Sequence, residues 1–442
     1  MATDYLDRWE LNGTEVLIKD KGRGQANGVA VLDPSSKLPS SVLKSTMASE
    51  LKVSPDAPSD LNFQQWVETL GSSEFKNKGK AWTQGTGGNT SYSTNNIVYA
   101  NGLWVCSSIS HGMWWSEDGK AWTQGTGLNT TYTMQYVVYE DGLWVCGSSD
   151  HGMWWSEDGK AWTQGTGANT TYYTWYLVYA NGLWVCGSNS HGMWWSEDGK
   201  AWTQGTGLNT TYTMQYVVYE NGLWVCGSSE HGIWWSEDGK SWTQGTGENT
   251  SYTMLSLVYE NDLWVCGSRE HGTWWSANGK AWTQGTGTNA LYTMQHLVYA
   301  NGLWVCGSSD HGLWWSANGK AWTQGTGANT SYTTRGLAYA NGIWICGSYL
   351  HGAWWSEDGK TWTQGTGDNT ARTLQHLLYR NGLWVGGGDY VWWSEDGKAW
   401  TQGTTDIALS VSDLVYVNGL WGFACISHGI WWSGVNVWLP ES

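Results

Sequence analysis

From about residue 80 onward, apolar and polar positions recur in a block of about forty residues. In the unit 131–170, TYTMQYVVYEDGLWVCGSSDHGMWWSEDGKAWTQGTGANT, four short apolar runs alternate with polar, glycine-bearing links. The runs are 134–139, 143–147, 153–156 and 161–165. Each is too short for a helix and rich in β-branched and aromatic residues, so they predict four strands, A to D. Asp141-Gly142 joins A to B, and most units have Asn-Gly there. A type I′ hairpin turn needs positive φ at both central residues, and these pairs supply it. Glu157-Asp158-Gly159-Lys160 turns C into D, a polar link from Ser148 to His151 joins B to C, and a Gly/Asn/Thr loop leads into the next strand A.

The tyrosine that ends VVY returns at Tyr99, Tyr139, Tyr179, Tyr219, Tyr259, Tyr299, Tyr339, Tyr379 and Tyr416, which makes nine units, spaced forty apart until the spacing falls to thirty-seven near the end. Within a unit, Trp154 and Trp155 are adjacent and must point to opposite sides of the sheet. Sheltering both sides requires sheets stacked face to face around a ring. The expectation is an all-β, nine-bladed β-propeller of four-stranded antiparallel blades over 80–442. An open solenoid would need polar caps at its ends. Trp114-Trp115 in the first unit and Trp431-Trp432 in the last are no more polar than the middle copies. Two segments compete for the outer strand of the last blade, the spare strand D at Lys80–Gln84 and the tail Val437–Pro440.

Composition sharpens this picture. The chain has 442 residues, with 40 Trp against 3 Phe and 60 Gly, as expected of one short unit copied many times. Cys106, Cys146, Cys186, Cys226, Cys266, Cys306 and Cys346 share one register, which places them on separate blades, too far apart to bridge. They are expected to be small buried apolar residues in a reducing compartment. The net charge of −16 argues against nucleic acid and anionic membranes as partners. No run of eighteen apolar residues suggests membrane insertion. The first residues have no basic segment followed by an apolar one, so no signal peptide is expected.

The stretch Ser156-Glu157-Asp158-Gly159-Lys160-Ala161-Trp162 resembles the Asp-box of neuraminidase-type propellers, one residue shorter than the usual spacing. It recurs at Ser116, Ser196, Ser236, Ser356 and Ser394, with Asn278 and Asn318 in place of Asp in two copies. In that family the box lies away from the active site, so the resemblance implies fold rather than catalysis. Ahead of the repeats, Gly24–Pro39 resembles a segment of phage and prophage tail-fibre proteins that precedes a receptor-binding tip. It implies a virion-tail location, attachment to other tail or virion proteins through residues 1–58, and a homotrimer. Within 1–58, Asn12-Gly13 interrupts strand-like pieces such as Glu15–Lys19. Residues 59–79 read as a linker helix, with Phe63, Trp66, Val67 and Leu70 on one face and Gly71 as its stop. The attachment segment is therefore expected to be small and mixed α/β.

The copies are so alike that their differences stand out. Met134-Gln135-Tyr136 becomes Thr94-Asn95-Asn96, Thr174-Trp175-Tyr176, Met254-Leu255-Ser256, Met294-Gln295-His296, Thr334-Arg335-Gly336 and Leu374-Gln375-His376 elsewhere. Ser149-Asp150 becomes Ile109-Ser110, Ser229-Glu230, Arg269-Glu270 and Tyr349-Leu350, and the place of Met153 is taken by Thr273 and Ala353. In a meander, the D–A and B–C links emerge on one side of the disc. All three variable places are therefore expected on that side, as a recognition face, while the Asn-Gly and Asp-Gly turns opposite stay constant. Gln135, Tyr136, Asp150, Trp175, Tyr176, Glu230, Arg269, His296, Arg335, Tyr349 and His376 are the candidate binding residues. The ligand expected from the tail-fibre resemblance is a host-surface glycan or protein, bound through repeated weak sites. A scaffold for protein–protein contacts is the alternative.

A ring of histidines at His111, His151, His191, His231, His271, His311, His351 and His428 has no second ligand nearby in any unit. Each histidine is expected either to hydrogen-bond loop backbone or to line a pocket between blades with a Trp edge, and a metal site is not expected. Arg269, Arg335, Arg372 and Arg380 sit at different registers, with Arg380 on the constant side. Phosphate-loop, Cys-x-x-Cys and His-Glu-x-x-His motifs are lacking. No enzymatic activity, cofactor or metal is expected.

Overall fold

The computed structural model describes residues 5–11, 14–19 and 79–434, leaving out residue 89, short pieces of the other D–A loops, 405–409 and 427. Tyr5–Leu11 and Thr14–Lys19 form an antiparallel hairpin on either side of Asn12-Gly13. The linker-helix segment, the tail-fibre-like stretch and Val437–Pro440 lie outside the described residues.

Residues 79–434 form nine blades in a ring. Strands A are Thr94–Ala100, Met134–Glu140, Thr174–Ala180, Met214–Glu220, Met254–Glu260, Met294–Ala300, Thr334–Ala340, Leu374–Arg380 and Ser410–Val417, and they number the blades 1 to 9. In blade 2, strand A pairs with strand B, Leu143–Ser148, which pairs with strand C, Met153–Ser156. Strand C pairs in turn with the short outer strand D, Thr163–Gln164. Strands A of successive blades lie side by side and line the centre.

The blades are held together by a core at each junction. Leu103, Val105 and Met113 of blade 1 pack against Met134, Val137, Trp144, Cys146 and Trp154 of blade 2. The same construction repeats to Ile97, Trp104 and Trp114 of blade 1 against Leu420, Ala424 and Ile430 of blade 9. A buried Trp removes ~150–250 Å² from water, a gross gain of about 4–6 kcal/mol before chain entropy is subtracted. The adjacent tryptophans divide this role. Trp154 is 1% exposed, whereas Trp155 is half-buried. The ammonium of Lys200, from the next blade, sits 4.2 Å above the Trp155 ring and pairs with Glu157 at 2.7 Å. Shelter for the second indole is thus a cation–π lid and not a full core. All eight cysteines are free and buried.

The N-terminal strand closes the ring. Thr83 and Gln84 pair with Trp432 and Trp431, so Lys80–Gln84 supplies strand D of blade 9. Trp82 enters the junction core with its ring 4.8 Å from Phe423. The outer edge is covered as well. After Gly165 the chain crosses over, and Thr166-Gly167 pairs in parallel with Ala201-Trp202 of the next blade. The equivalent bridge Ala81↔Thr404 carries this across the closure. Outer strands that would otherwise be open edges are thereby paired.

The C–D turn follows from its sequence. Asp158 Oδ1 accepts hydrogen bonds from the Lys160 and Ala161 N–H groups, both at 2.8 Å, and the Ser156 hydroxyl accepts from Gly159 N–H at 2.9 Å. Gly159 takes φ +70, which favours glycine. Partial burial works to raise the Asp158 carboxyl, but the Ala161 and Lys160 N–H groups and the Ser156 hydroxyl hold it below the usual carboxylate range.

Candidate functional site

Because strands A are innermost, their third residues, and the fourth in the longer strand of blade 9, converge on the central channel. This ring reads Asn96, Tyr136, Tyr176, Tyr216, Ser256, His296, Gly336, His376 and Asp413, by the strand pairings of the nine blades. The repeat therefore builds an asymmetric centre from a symmetric frame.

One side is a tyrosine ladder. Tyr136 stacks on Tyr176 with ring centres 5.1 Å apart, and Tyr176 meets Tyr216 at 4.5 Å. Burial raises the Tyr136 and Tyr176 phenols above their ordinary value. The ladder continues into a polar belt. The Asn96 side-chain Oδ1 accepts from Val137 N–H at 3.1 Å, and its Nδ2 donates to Asp413 Oδ2 at 2.7 Å. Asp413 also accepts from the backbone N–H groups of Ile97 and Leu414, at 3.0 and 2.8 Å. Even so, burial dominates and raises its carboxyl.

The other side is a cavity of ≈ 310 Å³ lined by strand-A residues of blades 6 to 9, including His296, Gly336, Gln375, His376 and Asp413. Gly336 is part of that lining. A Cβ there would lie 2.0 Å from the Gln375 carbonyl oxygen, so glycine permits the close approach of blades 7 and 8. His296 and His376 stand two blades apart on either side of Gly336. His296 is reachable from the channel yet ringed by protein. Burial pushes its imidazole down to about 4, with Arg335 and His376 adding to the effect. Burial likewise lowers His376, against the opposing pull of Asp413. Both are neutral at pH 7. His296 occupies φ +53 at a bulge where Gln295 and Leu297 pair with Gly307 and Cys306. Among the described residues it is the only non-glycine inside a strand in the left-handed region, a conformation that costs of order 1 kcal/mol or more and concentrates at functional sites.

Several sequence-derived candidates meet here. Tyr136 and Tyr176 share the ladder. His296 and His376 line the cavity, and Arg335 stands over the Tyr349 ring at 5.8 Å. Gln135 instead donates to the Ser149 hydroxyl at 2.8 Å, tying the strand to the loop that carries Asp150. Glu230 and Arg269 lie on exposed B–C loops of blades 4 and 5, outside the cavity lining. Trp175 belongs to strand A of blade 3, and its side chain lies outside the described residues. Sequence reasoning passed over Asp413, because the last unit departs from the repeat, and Gly336, because a missing side chain carries no chemistry of its own.

One expectation is corrected. The place of Met153 is not part of a recognition face. Met153, Thr273 and Ala353 are 0–1% exposed and fill blade junctions. The first residue of strand A is buried too, and the Thr334 hydroxyl donates to the Ser308 carbonyl at 2.9 Å. Variation at those places is repacking. The histidine ring, by contrast, is structural as expected. His151 stacks on Tyr132 at 3.5 Å, and the His111 Nδ1 lies 2.8 Å from the Ile109 carbonyl oxygen, with the same bond at His191, His271 and His351.

The rim above the channel is polarised. Blades 2 to 6 present Ser149-Asp150, Asn189-Ser190, Ser229-Glu230, Arg269-Glu270 and Ser309-Asp310. Blades 7, 9 and 1 present Tyr349, Leu350, Ile426 and Ile109, each 38–49% exposed. Blades 7 and 9, two of the four that line the cavity, thus carry apolar B–C loops, while blade 8 between them presents Asp389-Tyr390.

Both ends of the propeller chain leave on the opposite side. Gly79 N–H donates to the Ser433 hydroxyl at 2.8 Å, in the manner of a C–D turn. The last described residue, Gly434, ends strand C at the same turn face.

The ring is similar to two solved structures. The Dos1 propeller matches with a TM-score of 0.53 at 9% identity, covering 84% of this chain and 99% of that one. The computationally designed Ika8 protein matches with a TM-score of 0.52 at 11% identity, covering 69% of this chain and 96% of that one. At these identities the likeness speaks for fold alone. No family model matches the sequence, and no curated protein matches it.

Proposed function

We propose that this propeller is a non-enzymatic binding protein that presents its variable face, centred on the blade 6–9 cavity, to a ligand on a host cell surface, as the receptor-binding tip of a phage or prophage tail fibre. The observation that carries this reading is the opposition of the two faces. The chain enters the ring at Gly79, on the constant turn face beside Ser433, opposite the varied loops and the channel mouth. The turn chemistry repeated as Ser-x-Asp-Gly-Lys, similar to the Asp-box, builds the constant side. The segment similar to tail-fibre proteins lies in the part that precedes it. On this reading the partners are a host glycan or protein at one face and other tail proteins through residues 1–58, and the assembly is a trimer.

The test is adsorption of fluorescently labelled protein to candidate host cells, run beside a glycan array. Tyr349→Ala with Leu350→Ala should abolish adsorption while leaving the circular dichroism spectrum unchanged. Adsorption that survives these changes but is lost when turn-face lysines such as Lys200 are replaced would refute the orientation. A scaffold role is the second reading, favoured by the exposed apolar sector, since exposed apolar patches mark protein interaction sites and interface cores are enriched in aromatic residues. It predicts binding to sibling proteins of the particle and none to cells or glycans.

A further inference from the structure

We infer that the turn face of blades 5 to 8 docks an acidic segment of a partner protein, through Lys320, Lys360 and Arg380. This goes beyond the binding role proposed above and concerns the opposite side of the disc. A ladder repeats from blade to blade on that face. At nine junctions a lysine rests 4.1–4.5 Å above an indole of the preceding blade. At six of them the ammonium also pairs with a glutamate of that blade, at 2.5–2.8 Å. Lys320 and Lys360 break the pattern. Ala277 and Ala317 stand where their glutamates would be, and neither lysine is in an ion pair among the described residues. The paired lysines are part-covered, whereas these two are exposed.

Two further departures fall in the same sector. The same turns carry Asn278 and Asn318 where six others carry Asp. Asn278 Oδ1 still accepts from the Lys280 and Ala281 N–H groups at 3.0 Å, and Asn318 Oδ1 from Lys320 and Ala321 at 2.9 Å, so these turns keep their shape and lose only charge. The A–B turns divide in the same way. Blades 2, 4 and 5 carry Glu140-Asp141, Glu220, and Glu260 with Asp262, whereas blades 6 and 7 have Ala300 and Ala340 and blade 8 has the exposed Arg380. The carboxylates beside Lys360 in the chain are engaged. Glu357 pairs with Lys398 at 2.8 Å, and Asp358 accepts from the Lys360 and Thr361 N–H groups, both at 2.8 Å. Cations without carboxylate partners thus gather on a face that is acidic elsewhere, in a chain of net charge −16. Carboxylates are the matching groups, and the half-buried Trp275 and Trp315 beneath the lysines offer apolar surface to a peptide chain. A nucleic acid fits less well, because its phosphates would run on over the acidic turns of blades 2 to 5.

The test is fluorescence anisotropy of a labelled octaglutamate peptide with the full chain at about 0.1 M salt, where a Debye length of ~10 Å screens the acidic turns of distant blades. The peptide should bind and an octaglutamine peptide should not. Ala277→Glu with Ala317→Glu supplies the missing glutamates in the form that six junctions already use, so the fold is kept. It should weaken binding about tenfold, the scale of two surface ion pairs. Lys320→Gln with Lys360→Gln should do the same. Lys200→Gln with Lys240→Gln changes the net charge of the same face equally, yet should leave binding within about twofold, because Glu157 and Glu197 already hold those ammoniums. Equal losses in the two lysine pairs, indifference to Ala277→Glu with Ala317→Glu, or tighter binding of oligothymidylate than of the peptide would each overturn the inference. Self-association that Ala277→Glu with Ala317→Glu abolishes, without peptide binding, would assign the sector to a second copy and overturn it too. Loss of cell adsorption in that variant would put the receptor on the turn face, against both this inference and the orientation proposed above.

Discussion

The N-terminal strand that completes blade 9 anchors itself through one indole, Trp82, and its removal has a calculable cost. Trp82 is 6% exposed and shares the blade 8–9 core with Val385, Val391, Val411 and Phe423. Trp162 does the same work within the continuous chain of blade 2 and is 3% exposed. Truncating a buried Trp to Ala costs about 3–5 kcal/mol through lost transfer energy and the cavity left behind. Trp82→Ala and Trp162→Ala should therefore destabilise the protein by similar amounts, although Trp82 is separated from Phe423 by most of the chain. Because Thr83–Gln84 already occupies the outer position of blade 9, Trp438→Ala should cost under about 0.5 kcal/mol, as an ordinary surface change does. Urea unfolding followed by far-ultraviolet circular dichroism gives all three values, with equal slopes as the check that compactness is unchanged. A loss below about 1 kcal/mol for Trp82→Ala together with a large loss for Trp438→Ala would refute the closure by the N-terminal strand.

Other consequences follow from individual residues. Gly167, at φ +116, would place a Cβ 2.1 Å from the Trp202 carbonyl oxygen, whereas Gly142, at φ +74, would meet nothing within 4 Å. Gly142→Ala should cost only the ~1–2 kcal/mol of a left-handed residue, and Gly167→Ala clearly more, read from thermal midpoints. The depressed carboxyls of Asp118, Asp158, Asp198, Asp238, Asp358 and Asp396 give stability that is present above the free carboxylate value and lost as pH falls through the folded one. His296, at about 4, adds stability that is full above about 6.5, the free imidazole value, and is lost as pH falls toward 4. Urea midpoints at pH 7.5 and 5.0 should therefore differ, and by less in His296→Asn. The cysteines are buried, and burial raises the thiols of Cys146, Cys186 and Cys425, the last to about 11. A thiol reagent should label none in the native protein and eight in denaturant. Fast native labelling would contradict the junction cores.

The sequence made the blade legible because its signals are local. The Asn-Gly pair, the Ser-x-Asp-Gly-Lys turn and the adjacent tryptophans each act within a few residues, and nine copies repeat the message. The site was only half legible. Tyr136, Tyr176, His296 and His376 stood out as departures from the repeat, but their meeting depends on strand A being innermost and on side chains forty or more residues apart converging. Met153 and its counterparts vary as freely as the channel residues. Periodicity could not separate a core contact from an exposed one, since both lie at the same end of the blade. Asp413 was hidden by the divergence of the last unit, where Phe423 takes the place of the repeated cysteine. The apolar sector over blades 7, 9 and 1 appears only when the loops are read in ring order.

The central claim is that nine blades close around a channel whose variable mouth lies opposite the face at which the chain enters the ring at Gly79. Electron cryomicroscopy of the full chain tests it most directly. The account predicts a disc with nine sectors, density for Lys80–Gln84 at the outer edge of the sector that holds Trp431, and the preceding residues emerging from the turn face. A different number of sectors, an open rod, or the N-terminal segment lying across the channel mouth would contradict it.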